Sequence, residues 1–168
     1  MWQTVRMLQW AVTECAEGVL LRFTASPAGL RSIDLRVDAR APLGEPASGN
    51  RLIAAAEEQM RAYFAGRLRQ FDLPLDPQGT EFQLRVWREL ETIPFGEIRS
   101  YSQVAVAIGK PKAVRAVGAA NGANPLPIVI PCHRVIGSSG KLVGYGGGLQ
   151  LKQRLLELEG CSLTLFRL

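Results

Sequence analysis

The sequence predicts an α/β N-terminal domain, residues 1–78, followed by a mainly α C-terminal domain, residues 79–168, containing a helix-turn-helix. Three observations lead there. Runs rich in β-branched and aromatic residues fill the first part, separated by turn signals. Two capping-box spacings open helical periods in the second. The positive charge collects in one acid-free stretch of that second part.

Met7–Thr13, Val19–Ala25 and Leu30–Val37 read as strands. Gly18 punctuates the first gap, and Ser26-Pro27-Ala28-Gly29 is a turn signal in the second. Asp38 to Gly49 is rich in Ala, Pro and Gly and reads as a surface loop. Asn50 is placed to cap a helix running to about Ala65, with Leu52, Ile53, Ala56, Met60, Tyr63 and Phe64 on one face and Gly66 as its stop. Gln70 to Gly79 reads as a linker with some extended structure. Beyond it, Thr80 and Gln83 have capping spacing, and Phe82, Val86 and Leu90 recur every four residues. Ser100 and Gln103 repeat the capping spacing ahead of a short helix to Ile108. Gly109-Lys110-Pro111 then turns the chain into a helix reaching about Ala120, and two short helices joined in this way suggest a helix-turn-helix. A last helix covers Leu149–Glu159 and ends at Gly160.

Composition excludes several classes. At 47% hydrophobic and 21% charged, the 168-residue chain is neither disordered nor fibrous. The longest uncharged stretch, Ala116–His133, is broken by Asn121, Asn124, Pro125, Pro127 and Pro131, so no membrane span is expected. Gln3, Thr4, Arg6 and Gln9 interrupt any signal peptide. Three cysteines make no disulfide framework, and a free thiol suits a reducing, cytoplasmic setting. Between Ile98 and Leu156 there are eight basic residues and no acid, while the rest of the chain is net −3. That asymmetry favours a polyanionic partner, because each neutralised phosphate releases counterions. A solvated basic face is the other reading.

Cys132 and His133 are adjacent within Ile130-Pro131-Cys132-His133-Arg134-Val135, and His133 is the only histidine. A nucleophilic cysteine needs a base or a positive field to become thiolate. Here an imidazole and Arg134 are close in sequence, with no acid nearby in sequence to oppose ionisation. A buried structural thiol is the alternative, and it is the reading for Cys15 and Cys161. Cys15, Cys132, Cys161 and His133 lack the paired spacing of a structural zinc site, so no metal is expected. Asn124-Pro125 and Pro127 set a rigid, turned approach to the cysteine. Gly144-Tyr145-Gly146-Gly147-Gly148 follows it; it matches no phosphate-binding fingerprint and reads as a lid or a close ligand approach, with Tyr145 able to stack on an aromatic ligand.

Pro131-Cys132-His133-Arg134-Val135, with Asn124-Pro125 before it and the Tyr145 loop after it, resembles the O6-alkylguanine-DNA alkyltransferase family. The similarity runs from about Thr80 to Gly160, with a weaker match in the N-terminal half. The resemblance implies a ribonuclease-H-like N-terminal domain and a C-terminal domain whose helix-turn-helix enters the minor groove of duplex DNA. It implies a monomer that needs no cofactor and transfers the alkyl group of O6-alkylguanine irreversibly to itself. Carried over by residue, Cys132 is the alkyl acceptor and His133 its base through a water, oriented by Glu159. Asn124 braces the turn, Tyr101 helps rotate the nucleotide and assists proton transfer to guanine, and Lys152 supports proton transfer or loop position. Arg115 takes the place of the extruded base, with Lys110, Lys112, Arg99 and Arg134 as further DNA contacts. Tyr145, Gly146, Gly147 and Val135 line the substrate pocket, and the two small glycines hint at room for bulky adducts. A non-catalytic helix-turn-helix damage sensor is the alternative, and a cysteine hydrolase a more distant one.

Overall fold

The computed structural model describes residues 7–37 and 44–161. The chain divides between Gln78 and Gly79 into two compact units.

In the first unit, β1 (Gln9–Ala16), β2 (Val19–Ser26), β3 (Gly29–Asp34) and β4 (Glu45–Pro46) form a sheet in the order β3-β2-β1-β4. The first three strands are antiparallel neighbours, and β4 joins β1 in parallel. Gly18 turns β1 into β2 at φ +70°, a conformation that suits a residue without Cβ. Helix α1 (Arg51–Phe64) follows. Asn50 caps it, accepting from the Ile53 N–H at 3.0 Å, and Gly66 ends it at φ +70°. Leu21, Phe23, Leu30, Ile53, Met60 and Tyr63 bury one face of sheet and helix. Each such side chain contributes about 1.5–3 kcal/mol of transfer free energy.

Three boundaries differ from the sequence reading. β1 runs on to Ala16 because Thr13 and Glu14 pair opposite Leu21 and Leu20 before a bulge; polar residues can continue a ladder that apolar patterning does not mark. β3 stops at Asp34, where the ladder ends opposite Arg22. The expected loop Asp38–Gly49 lies partly outside the described residues, and within its described part Glu45–Pro46 pairs as β4. The linker is extended for a reason the sequence hides. Leu30 N–H donates to the Pro74 carbonyl at 2.8 Å and Asp76 N–H to the Leu30 carbonyl at 2.9 Å. A Cβ on Gly29 would stand 2.7 Å from the Pro74 oxygen, so only glycine allows that approach. The N-terminal residues that argue against a signal peptide lie outside the described residues, Gln9 excepted.

The second unit runs α2 (Glu81–Glu91), β5 (Arg99–Ser100), α3 (Tyr101–Ala107), α4 (Val114–Gly122), a 3-10 turn (Cys132–Arg134), β6 (Val135–Ile136) and α5 (Leu149–Leu158). Both capping boxes form, at Thr80 with Gln83 and at Ser100 with Gln103. Trp87 of α2 is buried and donates from Nε1 to the Ala120 carbonyl of α4 at 2.8 Å. That bond ties the two helices together. α4 continues two residues past the expected end, to Gly122. β5 and β6 pair in parallel, which two-residue strands cannot announce in sequence. Their pairing brings the start of α3 beside the residues that follow Cys132. Among the described residues, no helix is long and apolar enough to cross a membrane.

Candidate active site around Cys132

The approach to Cys132 is a turn held by one side chain. Asn124 Oδ1 accepts the Leu126 N–H at 3.0 Å, and its Nδ2 donates to the Ile130 carbonyl at 2.8 Å. The Ile130 N–H donates to the Leu126 carbonyl at 2.8 Å, closing the same turn. Ile128 sits at φ +76°, an outlier for a β-branched residue, inside this hydrogen-bonded frame. Cys132 then opens the 3-10 turn, its N–H on the Ile130 carbonyl at 2.8 Å. Asn121 of α4 donates to the Cys132 carbonyl at 3.4 Å.

Cys132 is 4% exposed. Burial pushes its thiol up from the ordinary range, against the side-chain amide of Asn124, the charge of Lys152 and the backbone N–H groups of Cys132 and Ile128. Desolvation is thus the largest influence on the sulfur and opposes its ionisation, while Asn124, Lys152 and the two N–H groups favour it.

The neighbouring imidazole has a partner. His133 is fully buried, with Nε2 2.9 Å from Glu159 Oε1. Glu159 stands just past α5 and 26 residues away in sequence. Burial lowers the His133 pKa; Glu159 works to raise it, while Arg134 and Lys152 lower it further. Nδ1 of His133 has no hydrogen-bond partner among the described residues. Lys152, also fully buried, donates to the carbonyls of Val135 at 2.6 Å and Val143 at 3.0 Å. It thereby pins the segment leading to Tyr145 against β6. Burial lowers its pKa to about 8, partly offset by Cys132. Tyr101, the first residue of α3, points its hydroxyl at the Val143 carbonyl 3.5 Å away, and burial and the neighbouring Cys132 both raise its pKa.

The structure thus brings Asn124, Tyr101 and Lys152 to the Cys132 sulfur and joins Glu159 to the neighbouring His133. Tyr145 is half-buried and Gly147 likewise, while Gly146 is exposed. Lys110, Lys112 and Arg115 are exposed on the turn between α3 and α4 and on α4 itself. Two expectations, for Arg134 and Val135, are corrected. Arg134 is not a DNA contact: it is buried, donating Nε to Glu159 Oε2 at 2.8 Å, Nη2 to Oε1 at 2.9 Å and Nη1 to the Ile93 carbonyl at 2.6 Å. Arg99, partly exposed, pairs with Glu89 at 2.6 Å and Thr92 at 3.2 Å. Val135 is fully buried in β6 and offers no open pocket wall; its carbonyl holds Lys152. Ile128, Asn121 and the Ile93–Gly96 segment are participants that sequence reasoning missed. A φ value and a long-range carbonyl leave no mark in residue type. Among the described residues, no three His, Cys, Asp or Glu side chains gather as a metal site would require.

Comparison with known proteins adds to this geometry. The family model for the 6-O-methylguanine DNA methyltransferase DNA-binding domain matches residues 81–161. The methylated-DNA–protein-cysteine methyltransferase of Mycolicibacterium paratuberculosis is 63% identical over 120 residues, covering 69% of this chain and 73% of that protein. The crystal structure of Mycobacterium tuberculosis O6-methylguanine methyltransferase superposes with TM-score 0.83 at 44% identity, covering 95% of this chain and 99% of that one. A crystal structure of Mycobacterium tuberculosis OGT in complex with DNA superposes with TM-score 0.79 at 45% identity, covering 90% and 91%. This chain has the mixed α/β fold of those structures.

Proposed function

This chain belongs to the methylated-DNA–protein-cysteine methyltransferase family, and from that premise we propose that it repairs O6-alkylguanine in duplex DNA by moving the alkyl group irreversibly onto Cys132. The observation that carries the assignment to Cys132 is the 2.9 Å contact between buried His133 and Glu159 beside a cysteine reached by Asn124 and Lys152.

The chemistry follows from the geometry. The Cys132 thiol is neutral at rest, so its proton must leave before attack. His133 takes that proton through a water at Nδ1, while Nε2 stays on Glu159. The sulfur attacks the O6 alkyl carbon; the S–C bond forms as the O–C bond breaks. Tyr101 gives a proton to the departing guanine, and the Lys152 charge steadies the thiolate until the bond is made. The product is an S-alkyl thioether, which offers water no activated carbonyl. The gathered residues include no second group to remove the alkyl, so each chain acts once.

Reaching the lesion requires extruding the base, at a cost of about a few kcal/mol. The α3–α4 pair acts as a helix-turn-helix laid in the minor groove, with Lys110 and Lys112 on phosphates and Arg115 filling the vacated stack. The Tyr145 loop covers the flipped base. The first unit, three antiparallel strands with a parallel fourth and a helix, supports a ribonuclease-H-like domain. The protein works as a monomer, without metal or cofactor, in the cytoplasm, where the thiol stays reduced. A non-catalytic sensor is not favoured, since such a protein would have no use for the acceptor and its base.

The test is transfer of a labelled methyl from duplex DNA. The intact protein takes up one equivalent and Cys132→Ala none. Repaired DNA in excess of protein, or full uptake by Cys132→Ala, overturns the proposal.

A further inference from the structure

His133 and Arg134 share one 3-10 turn and both reach Glu159. The imidazole makes a single contact, 2.9 Å from Nε2 to Oε1. The guanidinium takes both oxygens, at 2.8 Å and 2.9 Å, and fixes itself with a third bond of 2.6 Å to the Ile93 carbonyl. Phe95 lies under it, 5.9 Å from ring centroid to guanidinium carbon. The Gly96 N–H adds a contact to Glu159 Oε2 at 3.3 Å. The Glu159 side chain is 0% exposed and that of Arg134 8%. Among the described residues, this one buried negative charge faces two possible counter-ions, and burying both as cations would leave an excess charge without solvent. Arginine wins that competition. Its fork matches the carboxylate at two points, and it cannot lose its proton.

We propose that Arg134 is a positioning residue for alkyl transfer: its two-point hold on Glu159 answers that carboxylate's charge, so the His133 ring serves Glu159 as a hydrogen-bond donor and not as its counter-ion. This rests on reading Cys132 and His133 as acceptor and base. Its consequence is specific. Nε2 keeps its proton on Glu159, and Nδ1, with no partner among the described residues, keeps a lone pair for the Cys132 proton. With Arg134 gone, Glu159 would draw a second proton onto the ring, and a protonated ring is no base.

The other groups around the ring do not supply this. Lys152 of α5 also opposes a charged ring, but its ammonium is committed to the Val135 and Val143 carbonyls. Tyr101 of α3 faces Cys132, and Cys161 faces Glu159; neither carries positive charge. The segment after α2 presents the Ile93 carbonyl to Arg134. Arg134 alone among these cations contacts Glu159.

His133 is the only histidine in the chain, so histidine-selective nitrogen NMR on the full-length protein reads this ring alone. The expected spectrum at pH 7 is a neutral ring protonated at Nε2; an imidazolium at pH 7 overturns the proposal. In Arg134→Gln, His133 is expected to titrate higher by about one pH unit or more. The acid limb of single-turnover methyl transfer moves up with it. Arg134→Lys keeps the charge, so its limb stays within a few tenths of a unit of the wild type, even at a lower plateau rate. A merely structural role would lower the rate equally at every pH, so an unmoved limb in Arg134→Gln overturns the proposal. Should that variant fail to fold, a limb displaced by about one unit in Arg134→Lys overturns it instead. Wild-type protein that takes up no methyl would remove the reading of Cys132 as acceptor, while the NMR titration still decides the role of Arg134.

Discussion

Each unit buries a cysteine, and the two show what burial does and does not do. Cys15 lies in β1 with its sulfur 3.9 Å from the Thr13 carbonyl, near Glu57 and Arg61. Burial raises its pKa to about 11. Cys132 is also buried and also raised, yet Asn124, Lys152 and two backbone N–H groups face its sulfur, and the next residue, His133, contacts Glu159. Desolvation opposes ionisation of both thiols. Around the second, hydrogen bonds and the Lys152 charge work against that cost, and a histidine held by a carboxylate is its neighbour in the chain. Reactivity here belongs to the surroundings of the sulfur, not to its exposure.

The largest effect tests that contrast at the sulfurs themselves. Cys132→Ala abolishes methyl uptake from duplex DNA, while Cys15→Ala leaves its stoichiometry unchanged; an absence of uptake in Cys15→Ala would break the comparison. Next comes the carboxylate that orients the base. Glu159→Gln leaves His133 in place but unheld, so single-turnover transfer slows by about 10²-fold, the lower end of what a general base supplies. It also strands Arg134 as a buried unpaired charge, destabilising the fold by about 3–5 kcal/mol in urea titration. A transfer rate unchanged in folded Glu159→Gln would show that His133 needs no carboxylate to orient it.

A smaller effect separates exposed charge from paired charge. Removing Lys110 or Lys112 flattens the salt dependence of duplex affinity by about 0.9 in log–log slope for each phosphate no longer neutralised. Arg99→Ala leaves that slope unchanged, because Glu89 already answers Arg99. Equal slopes for Lys110→Ala, Lys112→Ala and the wild type would remove the turn between α3 and α4 from the DNA surface.

The smallest effect is the pH dependence of stability. Cys15 has a folded pKa raised from 9.0 to about 11, so its contribution is complete below pH 9 and lost as pH rises through about 11. Lys152 has a folded pKa lowered from 10.5 to about 8, so its ammonium penalises folding below about pH 8, and that penalty is withdrawn as pH rises toward 10.5. Relative to wild type, Cys15→Ala therefore gains stability between pH 9 and 11, and Lys152→Met loses it between pH 8 and 10.5. Trends of the same sign in the two variants would contradict this.

Local signals are legible in the sequence and remote ones are not. Thr80, Ser100 and Asn50 announce their helices because a cap is a contact within three residues. The neighbours Cys132 and His133 and the Asn124 turn are equally local. Arg134 reads as a phosphate contact in sequence because the acid that claims it, Glu159, is 25 residues away. The β5–β6 pair, which joins Arg99 to Val135, leaves no alternation in two residues. Ile128 at positive φ is invisible in residue type, since that conformation is imposed by the turn around it. The place of Glu159 comes from family resemblance and not from its position at a helix end.

The central claim is that one sulfur accepts the alkyl group, once. Intact-protein and peptide mass spectrometry after incubation with excess O6-methylguanine duplex reads it directly. The prediction is a single added methyl per chain, on the peptide holding Cys132, with no second addition at longer times. A methyl on Cys15 or Cys161, or unmodified protein alongside fully repaired DNA, would contradict it.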